Sequence, residues 1–140
     1  MDGYKHIERS IGGYIAGHYT CAVEIGIGRS TEAAEILADA GILLRSTDVK
    51  DLQVPENLSF SVDDVFSPDL SLYHGADVIY AIRPAIEMIP PLIALAHKIN
   101  ADLVVYHLGF ESYGNGGEKI DCGVTLHRYV QGQKPSNRVA

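Results

Sequence analysis

A chain of 140 residues with 46% hydrophobic content is long enough to bury one real core and too short for a second independent domain. A formal net charge of −7 disfavours general nucleic-acid binding and an anionic membrane surface, which leaves small molecules or proteins as partners. No apolar run reaches membrane-spanning length, and Met1-Asp2-Gly3-Tyr4-Lys5-His6 lacks the basic-then-apolar layout of a secretory signal, so a soluble cytoplasmic protein is expected.

Residues 4 to 19 place Tyr4, Ile7, Ile11, Tyr14, Ile15 and His18 at three- and four-residue steps, the spacing of one helical face. Gly12 and Gly13 weaken the middle of that helix by roughly 1 kcal/mol each relative to alanine, so a kink or an early stop is expected there. Residues 21 to 26 read as a buried strand that breaks at Gly26 and Gly28. Ser30 or Thr31 suits an N-cap, and Glu32 to Ala40 is rich in helix formers and stops at Gly41, a natural residue for a helix C-terminus.

Ile42 to Asp48 is a second strand ending in a carboxylate, and Leu58 to Val62 a weaker third one ending at Asp63-Asp64. A fourth strand, from Gly75 to Ile82, runs into Arg83-Pro84, where proline forbids the ladder from continuing. Pro90-Pro91 suits the first turn of a helix to about Asn100 with Leu92, Ile93, Ala96 and Ile99 inward, and Ala101 to His107 makes a fifth strand. After Leu108 a glycine-rich loop, Gly109 to Gly117, leads to Val124–Val130, with no room for a crossover helix before it. That strand is expected to run antiparallel at the sheet edge.

Four βα-type units with continuous apolar strands predict an α/β fold: a Rossmann-like, doubly wound, mostly parallel sheet of about five parallel strands plus an antiparallel C-terminal edge strand. One domain over residues 1–130 is expected, with a polar tail at 131–140 that frays. Cys21 and Cys122, a hundred residues apart in strand-like settings, read as reduced core thiols.

In an open doubly wound sheet, ligands sit beyond the carboxyl ends of the strands where the strand order reverses, between the first strand and the fourth. Gly26, Gly28, Asp48, Asp63, Asp64, Arg83 and Pro84 all follow strand ends and gather at that rim. Glycine at 26 and 28 lets the backbone turn and approach a ligand, because no Cβ penalises positive φ. Asp48 follows Gly26 by 22 residues, the spacing at which a carboxylate meets ribose hydroxyls. A dinucleotide fingerprint wants a third glycine where this chain has Thr31, which disfavours a nicotinamide cofactor. Glu24, two residues before the turn, repels pyrophosphate and suits a cationic amino-acid group. S-adenosylmethionine or a relative fits both features, and no metal is expected.

Val23-Glu24-Ile25-Gly26-Ile27-Gly28 resembles the first motif, acid-x-Gly-x-Gly, of Rossmann-type S-adenosylmethionine-dependent methyltransferases. The resemblance implies that the turn passes the methionine part of the cofactor, that Asp48 holds the ribose and that Asp64 meets the adenine amino group. The cofactor-binding set it implies is Glu24, Gly26, Gly28, Asp48 and Asp64. Residues 21 to about 108, including Asp63-Asp64-Val65-Phe66-Ser67-Pro68 and Ile79-Tyr80-Ala81-Ile82-Arg83-Pro84, are also similar to an uncharacterised archaeal family of short methyltransferase-like proteins. One departure concerns the fourth strand: amino-methylating members carry Asn/Asp-Pro-Pro-aromatic after it, whereas this chain has Ile82-Arg83-Pro84-Ala85, so no catalytic residue is assigned. The chain also ends soon after the fifth strand, without the further helix and antiparallel strand pair that help hold an acceptor, so the unknown acceptor calls for a partner or a dimer.

Each of these residues also has a plainer role. A glycine pair makes a tight turn without any ligand, and Asp63 and Asp64 suit solvated loop acids or a helix cap equally well. Arg83 is expected to pair with Glu24 or Asp48. The six histidines show no short ligand spacing, and His107 reads as an acid/base group at the rim or, more commonly, a core or surface histidine. The loop at 109–117 is a flexible connection placed where a lid would sit. Two functions remain open: an adenosyl-binding minimal methyltransferase, and a non-catalytic nucleotide-sensing or interaction module on the same fold.

Overall fold

The computed structural model describes residues 3–133, and side chains from His6 onward. The expected fraying of the tail falls, from residue 134 on, outside the described residues, as do Met1, Asp2 and the side chain of Tyr4.

The N-terminal helix α1 (Gly3–His18) leads to β1 (Ala22–Ile25), α2 (Glu32–Asp39) and β2 (Leu43–Asp48). Then follow β3 (Phe60–Val62), β4 (Val78–Ile82), α3 (Ile89–Ile99), β5 (Asp102–Tyr106), β6 (Glu118–Asp121) and β7 (Thr125–Val130). The strands of the described residues form one sheet in the order β3-β2-β1-β4-β5-β7-β6, parallel from β3 to β5 and antiparallel across β5-β7-β6. The order reverses between β1 and β4, where the sequence places the switch point.

Alternation along the strands sorts the core into two layers. Val23, Ile25, Ile79, Ala81, Leu103 and Val105 face α3, whose Leu92, Leu95 and Ala96 are fully buried. Ala22, Val78, Tyr80 and Val104 point the other way, onto Ile11 and Ile15 of α1 and Ala33 and Leu37 of α2. Helices therefore cover both faces, as continuous apolar strands require.

Three features differ from the sequence expectation. Helix α1 runs unbroken through Gly12 and Gly13. At Gly12 an added Cβ would stand 3.1–3.3 Å from the Cδ1 and Cβ of Ile36 and the Cα of Ala33, so the glycine lets α1 lie close against α2. The β2–β3 and β3–β4 connections carry 3₁₀ turns, Glu56–Leu58 and Leu70–Tyr73, in place of full helices. The strand at Thr125–Val130 is antiparallel as expected but lies inside the sheet, because β6 pairs with it and takes the edge. The chain thus has an antiparallel strand pair after β5, which the sequence reading left out. The expected C-terminus of α2 holds: Gly41 has φ +77°, and the amides of Gly41 and Ile42 close back onto the carbonyls of Ala38 and Leu37, a Schellman motif.

The two helix glycines make a paired prediction. Gly13 is exposed with no atom near its missing Cβ, so Gly13→Ala stabilises by about 0.5–1 kcal/mol through helix propensity. Gly12→Val forces α1 off α2 and destabilises by about 1–3 kcal/mol. Urea unfolding of the two variants checks the opposite signs.

Candidate functional site

Strand β1 ends at Ile25, and the chain turns away from the sheet with φ +73° at Gly26 and +58° at Gly28. Both glycines are thus in the left-handed region that their residue type permits. The turn is pinned from β2. The amides of Gly26 and Ile27 donate to the carbonyl of Thr47 at 2.9 and 3.0 Å, and that of Gly28 donates to Oδ2 of Asp48 at 3.0 Å. The other Asp48 oxygen accepts from the Lys50 amide at 3.0 Å. Helix α2 follows, its capping residue Thr31 donating its hydroxyl to the Glu35 carboxylate instead of accepting a backbone amide.

Beside this turn lies an open cavity of about 180 Å³, lined by Glu8, Glu24, Gly26, Gly28, Arg29 and Arg83 among others. It is smaller than the roughly 300–1,000 Å³ of a complete small-molecule pocket, so it suits one end of a longer ligand lying along the rim. Glu24 is only 1% exposed and accepts a hydrogen bond from the Tyr80 hydroxyl at 2.8 Å. Burial pushes its carboxyl up to about 8, against the hydrogen bond from Tyr80 and with help from the nearby Glu8 charge.

Glu8 comes from α1 and is equally buried, at 1% exposure. Both of its carboxylate oxygens lack a hydrogen-bond partner, and its ion-pair contact is Nη1 of Arg83 at 3.8 Å. Arg83 itself sits in the left-handed region, φ +55°, with its guanidinium 5.3 Å from the centre of the Tyr106 ring. The carboxylate that meets Arg83 at ion-pair distance is therefore Glu8, where the sequence suggested Glu24 or Asp48. Two buried carboxylates beside one arginine make the cavity a place for a cationic or hydrogen-donating group.

The structure brings Glu24, Gly26 and Gly28 to one cavity and ties Asp48 to it through the Gly28 amide. Asp64 stands farther along the rim, after β3. It is exposed, and its Oδ1 accepts the Phe66 amide at 2.9 Å in an Asx turn. Its neighbour Asp63 accepts the hydroxyl of Tyr73 and the amide of Asp69. His107, after β5, is buried rather than at the surface. Cys21 and Cys122 are unpaired and partly buried, and burial raises the Cys21 thiol. Among the described residues no three His, Cys, Asp or Glu side chains are grouped to hold a metal, and no helix is long and apolar enough to cross a membrane.

Glu8 was missed by sequence reasoning. Its signal is an acid set on the apolar stripe, four residues before Gly12 and seven before Ile15, which are both buried.

The fold has solved relatives. The methyltransferase domain of bacterial CtHen1 superposes with a TM-score of 0.53 at 12% identity, over 72% of this chain and 65% of that one. An RNA methyltransferase from Salinibacter ruber, in complex with S-adenosyl-L-homocysteine, gives 0.53 at 12% identity over 97% and 95%. At such identity these similarities establish a Rossmann-like, methyltransferase-like fold. In sequence, a UPF0146 protein of Archaeoglobus fulgidus is 42% identical over 96 residues, 68% of this chain and 74% of its own. Residues 11–120 match the model of the uncharacterised protein family UPF0146, and the chain belongs to that family.

Proposed function

We propose that the protein binds S-adenosylmethionine or a related adenosyl ligand across the carboxyl ends of β1, β2 and β3, as a minimal methyl-transfer domain. The observation that carries this reading is the cavity at the Gly26–Gly28 turn, with Glu24 and Glu8, whose carboxylate has no hydrogen-bond partner, buried in its wall. A group with a cationic amine at one end satisfies both acids, whereas a pyrophosphate meets repulsion.

Glu24 and Glu8 hold the ammonium of the methionine part, and the glycines let it lie against the backbone. Asp48 spends one acceptor position on each of two amides and, as a carboxylate, keeps further lone pairs for ribose hydroxyls. Asp64 accepts from the adenine amino group. When bound, the ligand supplies an electrophilic methyl on its sulfonium, and the protein contributes positioning. The structural neighbour that carries S-adenosyl-L-homocysteine shares this fold over nearly its whole length, which supports the reading.

A non-catalytic sensing or interaction module is the second reading. It is favoured by Ile82-Arg83-Pro84-Ala85, where no side chain after β4 is set to accept an acceptor's proton.

Titration of ¹⁵N-labelled protein with S-adenosylmethionine, S-adenosylhomocysteine, NAD and ATP tests the binding. The amides of Gly26, Gly28, Asp48 and Asp64 are expected to shift with the two adenosyl-sulfur compounds. No shift at millimolar ligand sinks the adenosyl reading in both forms, and shifts with NAD alone sink its methionine part. Binding without methyl transfer to any acceptor leaves the sensing module as the function.

A further inference from the structure

A second cluster lies at the carboxyl end of β5, away from the glycine turn. His107 is 3% exposed, and its Nε2 is 2.6 Å from the Tyr129 hydroxyl. That oxygen also accepts the amide of Tyr113 at 2.9 Å. Nδ1 of His107 is a buried atom with no hydrogen-bond partner. Burial and the neighbouring His127 lower the pKa of His107, which keeps the ring neutral.

His127 of β7 is oriented by the glycine-rich loop. Its Nδ1 is 2.7 Å from the Gly116 carbonyl, which can only accept, so Nδ1 bears a hydrogen and, in the neutral ring, Nε2 bears the lone pair. The ring centres are 4.9 Å apart and nearly perpendicular.

Both rings line a cavity of about 250 Å³, whose other walls include Ile7, Tyr106, Val124 and Thr125. A further cavity of about 430 Å³ shares Gly109, Thr125 and His127 with it and is lined by residues of the glycine-rich loop. The first site is next door: Tyr106 carries the Arg83 guanidinium, and Ile7 precedes Glu8 on α1.

We propose that this cavity is a ligand site of its own and takes a small hydroxylated aromatic molecule, whose hydroxyl donates to Nε2 of His127. The chemistry selects the class. A carboxylate or phosphate sets its charge against the His127 lone pair; an ammonium brings its charge to a wall that holds no acid. A hydroxyl donates without a charge, and Ile7, Val124 and the Tyr106 ring supply the apolar wall for an aromatic body. The site stands without the adenosyl reading. Taken together with it, this is the acceptor cavity, and His127 is the proton-accepting residue that the chain lacks after β4.

Phenol is the probe. In protein labelled with ¹⁵N-histidine and with ¹⁵N amides, phenol is expected to shift the imidazole signals of His107 and His127 saturably while the amides of Gly26 and Gly28 stay in place. Benzoate and benzylamine hydrochloride at equal concentration are expected to leave them unmoved. His127→Asn keeps an amide N–H for the Gly116 carbonyl and removes the acceptor, so phenol affinity falls about tenfold, the worth of one hydrogen bond. Val124→Trp fills the cavity and abolishes the shifts, and it carries the test where His127→Asn fails to give a dispersed spectrum. Non-saturating phenol shifts, equal shifts with benzoate, or unchanged phenol binding in Val124→Trp or in a folded His127→Asn overturn the proposal.

Discussion

Glu24→Gln is expected to make the protein more stable, by a margin that grows with pH. The Glu24 carboxyl titrates near 8 in the folded protein because it is buried beside Glu8, against about 4.5 when exposed. Between those values the unfolded chain has released the proton and the folded protein retains it. Its stabilising contribution is therefore complete below about 4.5, declines by about 1.4 kcal/mol per pH unit, and is gone above about 8. His107 acts in the opposite sense: its lowered pKa costs stability as pH falls below the ordinary histidine value near 6.5. The clean window is thus pH 6.5 to 8. Glutamine keeps an oxygen for the Tyr80 hydroxyl and removes the titration. Across that window the gap between variant and parent in denaturant unfolding is expected to widen by about 1.5 kcal/mol. Parallel stability curves sink the assignment of a buried, titrating Glu24.

A protein that tolerates such a cost at one buried acid and leaves a second one, Glu8, without a hydrogen-bond partner has kept both for something other than stability. In the adenosyl reading that purpose is charge. With the cavity empty at pH 7, Glu24 holds a proton; an incoming ammonium displaces it. Calorimetric titration of S-adenosylhomocysteine at pH 7 in two buffers of different ionisation enthalpy is expected to show proton release, and Glu24→Gln to show none.

What the sequence disclosed about this site follows from how local each feature is. The turn was legible because positive φ at Gly26 and Gly28 is a property of those residues alone, and Asp48 because strand length and spacing fix where β2 ends. Glu8 and its contact with Arg83 were not, since they depend on α1 crossing to the mouth of β1 and β4, a packing decision that Gly12 makes possible only against Ile36 of α2. Strand β6 was hidden for another reason. Glu118-Lys119-Ile120-Asp121 has one apolar residue in four and is mostly exposed, the charged composition by which an edge strand resists further pairing. The histidine cluster falls between these cases: His107 was placed at a strand end by its sequence, but its neutral, hydrogen-bonded state needed Tyr129 and His127 to arrive from the hairpin.

Asp48→Ala is expected to weaken S-adenosylhomocysteine binding about 100-fold. Two ribose hydroxyls donating to a carboxylate are worth about 1.5 kcal/mol each, and every 1.4 kcal/mol is tenfold in affinity. The same carboxylate also braces the turn through the Gly28 amide at 3.0 Å, so loss of affinity alone does not separate sugar recognition from a collapsed turn. Two measurements do. Hydrogen exchange at Gly28 reports the brace and is expected to quicken in Asp48→Ala by about tenfold, as one charge-assisted bond is lost. Ribose recognition is read by comparing 5′-methylthioadenosine with its 2′-deoxy analogue: the parent protein prefers the ribose form by about tenfold, and the variant binds the two alike. If the variant keeps that preference, Asp48 is a turn brace alone and the sugar is held by another group on the rim.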